Sequence, residues 1–150
     1  MGHKRFPLFV DLTGRTAVVI GGGMVGLRRA EALRDFGAAV TVVSPALASP
    51  AEGLRHIPRG YVPGDLAGAY LAVAAAGDPA VNEAAGREAR ELGIFFNRAD
   101  CPEDCDFFFP ALCQGGGMVA GLAGDGSNHR RTAETARMIR EILKNCEEDT

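Results

Sequence analysis

The stretch VIGGGMVGLRRAEAL, Val19–Leu33, runs from β-branched apolar residues through three glycines straight into a helical pattern. Gly21, Gly23 and Gly26 fit the spacing G-x-G-x-x-G. In a dinucleotide site each glycine has its own task. Gly21 permits the tight turn, Gly23 lets the backbone approach a pyrophosphate, and Gly26 lets the helix pack closely on the strand. The unpaired N–H groups at the helix start then hold phosphate. The same spacing also serves a plain strand-to-helix turn. What favours the dinucleotide is context: the motif follows a strand, opens a helix and stands near the chain start.

Working outward, the alternation continues. Thr16–Ile20 is β-branched and apolar, the pattern of a buried parallel strand. Met24–Phe36 is helical, with Leu27, Ala30 and Leu33 on one face and Gly37 as its stop. Ala39–Ser44 is the next strand, closed by Pro45, and the segment around Gly53–Val62 holds one short strand. Tyr70–Ala76 is another buried strand. Asp78-Pro79 supplies an N-cap and an N1 proline for a helix to Leu92, which Gly93 closes. Ile94–Asn97 is a fifth strand, and Pro7–Arg15 reads as a short edge strand and turn. Strand and helix in this order predict an α/β, doubly wound parallel sheet of Rossmann-like type.

After Asn97 the pattern changes. DCPEDCD is a loop, FFFPALC and MVAGLAG are two strands joined by QGGG, and GDGSNHRR is a second glycine-containing loop. Thr132–Asn145 is amphipathic, with Ala136, Ile139, Ile142 and Leu143 on one side. The acidic tail CEEDT is expected to fray. The division expected is a dinucleotide-binding domain over residues 1–113 and a small α+β dimerisation segment over 114–150.

Composition narrows the function classes. At 150 residues and 47% hydrophobic, the chain is long enough for a real core. A net charge of -3 argues against a general nucleic-acid partner. No apolar run has membrane-span length, and no secretory signal follows MGHKRFPLF. Cys101, Cys105, Cys113 and Cys146 lack disulfide-framework spacing, which predicts free thiols in a reducing cytoplasm. At the end of the second strand, where an NAD site usually carries an acidic residue, the chain has Ser44-Pro45-Ala46. Ser44 can hydrogen-bond a ribose hydroxyl. No arginine follows to hold a 2′-phosphate, so NAD is favoured over NADP.

Five ordered segments resemble the precorrin-2 dehydrogenase family, which also forms the N-terminal module of siroheme synthase: PLFVDLTGR, VVIGGGMVGLRRAEAL, GAAVTVVSP, AVAAAGDPAVN and FFNRADCPEDCDFFFPA. The resemblance covers roughly Phe6–Leu143. It implies oxidation of precorrin-2 to sirohydrochlorin with NAD as hydride acceptor, and in some members ferrous iron insertion to give siroheme. It implies a homodimer built by the C-terminal strands and helix. The family's N-x-x-D motif is Asn97-Arg98-Ala99-Asp100 here, which gives Asp100 the catalytic role. The same matching assigns Met24 and Val25 to the cofactor phosphates and Pro45 and Ala46 to its adenosine half; Gly21, Gly22, Gly23, Ser44 and Ala75 complete the expected cofactor set. The family's second motif, of the form S-S-G-G-x-S-P, reads Ala123–His129 here, with Gly124 at the serine phosphorylated in some siroheme synthases. The family's further C-terminal helical region is expected to be absent.

Asp100 follows the end of a strand, where doubly wound sheets place their ligands, and it can act as general base or orient substrate. Asn97, Arg98, Ser127 and His129 are the substrate-binding candidates. Arg28, Arg130 and Arg131 are further candidates for the substrate's carboxylates, though surface solvation explains any single arginine as well. Cys101, Cys105 and Cys113 do not have fixed metal-ligand spacing. Phe107, Phe108 and Phe109 either line a flat macrocycle pocket or, the preferred reading, form a buried strand under a dimer interface. The competing function is an NAD-binding sensor or scaffold module without catalysis.

Overall fold

The computed structural model describes residues 3–148, in two compact units. The larger is Val10–Phe108, and the smaller comprises the described parts of Met1–Phe9 and Phe109–Thr150. The boundary falls at Phe108 rather than after Cys113, because the strand containing Cys113 pairs with Met118–Leu122 and packs on the C-terminal helix.

In the larger unit, β1 (Thr16–Ile20), β2 (Ala39–Val43), β3 (Arg55–Ile57), β4 (Leu71–Ala74) and β5 (Phe95–Arg98) form one sheet in the order β3-β2-β1-β4-β5. Every pairing is parallel. Helices α1 (Met24–Asp35) and α2 (Pro79–Leu92) make the crossovers. The order reverses between β1 and β4, which in this topology opens a crevice beyond the strands' C-terminal ends. The central strands are covered on both faces, so Ala17–Ile20 and all of β4 are buried. Val18, Ile20, Val43, Leu66, Ala85 and Phe96 belong to one core cluster. Each large apolar side chain buried this way contributes about 1.5–3 kcal/mol.

The helix ends follow their residues. Asp78 Oδ1 accepts the Ala80 N–H at 2.9 Å and Pro79 opens α2. At the end of α1 the Gly37 N–H bonds Arg34 O and the Ala38 N–H bonds Leu33 O, a Schellman closure. Pro7–Arg15 is not a strand. Its last residues close a turn instead, with the Thr13 N–H on Asp11 Oδ1 and the Arg15 N–H on Leu12 O.

In the smaller unit β6 (Ala111–Gly115) and β7 (Met118–Leu122) form an antiparallel hairpin. Gly116 and Gly117 turn it with φ of 57° and 72°, the left-handed pair a two-residue hairpin needs. Helix α3 (His129–Glu148) packs on β6 through Cys113, Ala136 and Leu143. It starts before Thr132 because Asn128 Oδ1 caps the Arg131 N–H. Two expectations are corrected. Phe107–Phe109 lie outside any strand, since Pro110 follows them and cannot donate to a ladder. Ile142 is 61% exposed: Ala136, Ile139 and Leu143 share the packed face, while Ile142 aligns one turn beyond Met138 on an outer stripe. The expected fraying of the tail falls partly on residues 149–150, outside the described residues. No helix among the described residues is long and apolar enough to cross a membrane.

Candidate active site

The loop after β1 is strapped to both neighbouring strands. The Gly21 N–H bonds Val43 O at 2.9 Å, and the Ala75 N–H bonds Ile20 O at 2.7 Å. Gly21 has φ +109°, and a Cβ there would stand 2.4 Å from Ala75 O. A Cβ on Gly26 would stand 2.2 Å from Gly21 O, so the helix approaches the loop at backbone distance. Gly23 differs. Its φ is -74°, which any residue adopts, and a Cβ would meet no protein atom within 4 Å. It caps α1 with no side-chain hydrogen bond, and the first turn carries no acidic residue. The first N–H groups of a helix lack intrahelical partners and carry the positive end of its dipole. Here nothing acidic in that turn competes with a phosphate for them.

A cleft of about 530 Å³ opens at this point. Gly21, Gly22, Gly23, Met24 and Val25 line one side, and Ser44, Pro45 and Ala75 line others, so eight of the nine expected cofactor residues meet in one place. Ala46 is the ninth and is not in the lining; its carbonyl accepts the Ser44 hydroxyl at 2.7 Å. Ser44 is buried and its proton is committed there, which leaves the Ser44 oxygen as an acceptor rather than a donor. His56 Nε2 donates to Ser44 O at 2.7 Å, because a carbonyl can only accept. The size, the apolar walls of Val43 and Val81, and the glycine cradle fit a dinucleotide. Among the described residues the lining has no lysine, arginine or histidine.

Two contributions to the cleft walls escaped the sequence reading. Tyr61 donates its hydroxyl to Glu88 Oε2, and Glu88 also takes the Gly64 N–H at 2.8 Å. Burial, then the Glu88 contact, raises the Tyr61 phenol, so it stays protonated. Asn82 is 1% exposed and grips the Ala76 peptide at both ends, accepting its N–H at 2.9 Å and donating to its carbonyl at 3.0 Å. Neither residue sits at a recognisable spacing from the glycine loop; only the fold brings them to it.

Asp100 lies just past β5 and outside the cleft lining. Arg98 Nε donates to its Oδ1 at 2.7 Å and Arg98 Nη2 approaches Oδ2 at 3.4 Å. The Arg98 contact holds the Asp100 carboxyl below the ordinary carboxylate range despite some desolvation. The other members of the N-x-x-D motif differ from expectation. Asn97 is 3% exposed and faces inward: Nδ2 donates to Phe107 O at 2.9 Å and Oδ1 accepts from Arg29 Nη1 at 2.6 Å. It is a buried tie between β5, α1 and the following loop, and its side-chain oxygen and amide are both engaged within the protein. Arg29 was not singled out, since an arginine on an amphipathic helix gives no sign of turning inward. Arg98 points its donors at Asp100 and Asp104 rather than outward.

Cys105 Sγ accepts the Arg98 N–H at 3.1 Å and caps the end of β5, and burial raises its thiol. Cys113 is fully buried in the smaller unit. Ser127 and His129 also belong to that unit, where Ser127 bonds Asp125 Oδ1 through both N–H and hydroxyl. A hollow of about 350 Å³ there is lined by Ser127, Asn128, Arg131 and Thr132 among others, but not by His129. Arg130 pairs with Glu134 on the surface of α3, and Arg28 is exposed.

A parallel sheet with a glycine cradle at its switch point defines a dinucleotide-binding protein. A family model described as "Putative NAD(P)-binding" matches residues 8–111. The chain belongs to that family. It is 37% identical over 147 residues to the "Probable multifunctional siroheme biosynthesis protein HemA" of Ruminiclostridium josui, covering 93% of this chain and 28% of that protein. It is 40% identical over 126 residues to the siroheme synthase of Azotobacter vinelandii, covering 80% of this chain and 27% of that one. The chain thus spans under a third of the length of these relatives. A solved structure named "SirC, precorrin-2 dehydrogenase" superposes with a TM-score of 0.73 at 25% identity, covering 92% of this chain and 71% of that chain.

Proposed function

We propose that the chain oxidises precorrin-2 to sirohydrochlorin with NAD as acceptor. The observation that carries the reading is the glycine-cradled cleft beyond the strands' C-terminal ends, with Asp100 just past the end of β5. The names of the relatives and of the solved neighbour supply the substrate class. NAD, when bound, accepts hydride from the tetrapyrrole. Gly21–Val25 would hold its phosphates, and Ser44, Pro45 and Ala46 would flank its adenosine half. NAD is preferred to NADP because no basic side chain lines the cleft to meet a 2′-phosphate. The substrate gives up a hydride and a proton in net terms, and Asp100, ionised and one-third exposed, is the group placed to take or guide the proton.

Met138, Ile142, Met118 and Val119 are exposed on α3 and β7, an apolar surface that supports a homodimer. The four unpaired cysteines support a cytoplasmic location. Ferrous iron enters this reading only as a second substrate, with no fixed protein site. The test is Asp100→Asn, compared with wild type for sirohydrochlorin formation and, by calorimetry, for NAD affinity. The proposal expects lost turnover with NAD affinity unchanged. Full turnover in the variant would overturn the role of Asp100. NAD binding without turnover in the wild type would assign the chain to the sensor class.

A further inference from the structure

We propose that Arg98 is a positioning residue that fixes the Asp100 carboxylate in one orientation, rather than a clamp for substrate carboxylates; this role rests on Asp100 acting on the tetrapyrrole. The guanidinium is shared out within the chain. Nε meets Asp100 Oδ1 at 2.7 Å and Nη2 meets Oδ2 at 3.4 Å, a two-point fork on one carboxylate. Nη1 reaches Asp104 Oδ2 at 3.3 Å and Nη2 reaches Pro79 O at 3.5 Å. The Arg98 side chain is only 12% exposed, against 33% for Asp100. An incoming carboxylate would have to displace Asp100 or Asp104 to reach it, whereas the Asp100 carboxylate keeps an open side.

The backbone that carries the pair is fixed independently. Arg98 registers opposite Ala74, the Ala99 N–H bonds Ala74 O at 2.9 Å, and Cys105 Sγ bridges the Arg98 N–H and carbonyl at 3.1 and 3.2 Å. The strand ends at Arg98 and the chain turns at once through Ala99 and Asp100, which brings the Asp100 carboxylate back onto the Arg98 guanidinium. Among the described residues the charged and titratable groups around the pair are Asp104, Cys101 and Cys105 on the following loop and Arg90 from α2, which pairs with Asp104. Arg90 leaves Asp104 partly neutralised, so Arg98 remains the cation that answers Asp100.

The experiment compares wild type, Arg98→Gln and Arg98→Lys. The Asp100 carboxyl is titrated by carbon NMR without ligands, assigned through Asp100→Asn. Kinetics are then measured with enzymatically generated precorrin-2 and NAD. In Arg98→Gln the Asp100 carboxyl should titrate higher than in wild type, because the cation that holds it low is gone. kcat should fall about 10- to 100-fold with KM for precorrin-2 within about two-fold, the mark of misplacement. Arg98→Lys should restore the titration but only part of kcat, since lysine supplies the charge without the fork. An unmoved carboxyl, or a raised KM with unchanged kcat, would overturn the proposal and make Arg98 a substrate contact. Full turnover in Asp100→Asn would overturn the reading of Asp100, and the role of Arg98 with it. Lost turnover in Asp100→Asn together with an unmoved carboxyl in Arg98→Gln would overturn the Arg98 role alone.

Discussion

Gly26→Ala and Gly23→Ala, two methyl additions three residues apart, should have opposite effects. At Gly26 the new Cβ stands 2.2 Å from Gly21 O, about 1.2 Å inside the 3.4 Å at which ordinary contact begins. The obstacle is a backbone carbonyl whose loop is tied to β2 and β4, so it cannot swing aside as a side chain would. Overpacking of this kind costs about 1–3 kcal/mol, and the immovable partner puts it at the upper end. Replacing glycine by alanine inside a helix returns about 1 kcal/mol. The net expectation is a loss of about 2 kcal/mol, or about 4–8 °C in Tm for a chain of this size. At Gly23 the methyl meets no protein atom and φ is already ordinary. A poorer N-cap and a less flexible unfolded chain nearly offset one another there, so Tm should move by less than about 3 °C. Yet Gly23 lines the cleft where the pyrophosphate would lie, and NAD affinity should fall at least about ten-fold. Thermal unfolding by circular dichroism and NAD titration by calorimetry read the two effects separately. A Gly23→Ala protein that binds NAD like wild type would refute the cradle. A Gly26→Ala protein of unchanged Tm would refute the close approach of helix and loop.

Two further outcomes concern the larger unit. Asn97→Ala strips buried hydrogen bonds from Phe107 O and Arg29 and should cost about 2–3 kcal/mol in urea unfolding, whereas an exposed substrate contact would cost almost nothing. Asp65 and Asp100 are held below the ordinary carboxylate value by Arg59 and Arg98 respectively. The unfolded chain then binds more protons in that range, so their contribution is complete above the unfolded value near pH 4 and is lost as the pH falls below it. Tm should be flat from about pH 7 to pH 5 and decline below about pH 4; a decline on raising the pH through the same range would contradict the sign.

The parallel sheet was legible because its signals are local. A buried strand announces itself by an unbroken apolar run, and Asp78-Pro79 and Gly37 mark helix ends by their own chemistry. The glycine loop was legible because its spacing encodes a backbone shape. Pro7–Arg15 misled because a short apolar run reads as a strand whether or not a neighbouring strand pairs with it. Phe107–Phe109 misled for the same reason. The candidate site was legible only where one segment carries it. Asn97 and Arg98 stand near Asp100 in sequence, but Asn97 turns inward to Arg29, supplied by a helix far back in the chain, and Arg98 spends its donors on Asp100 itself and on Asp104 of the next loop. Tyr61 reaches the cleft, and Asn82 grips the cleft residue Ala76, only through the fold, and no pattern within their own segments says so.

Hydride transfer itself is the most direct test: anaerobic incubation of the wild-type chain with enzymatically generated precorrin-2 and NAD, following NADH and sirohydrochlorin together by absorbance. The account predicts that the two products appear in equal amounts and only when NAD is supplied. Confirmed NAD binding with neither product formed would contradict it.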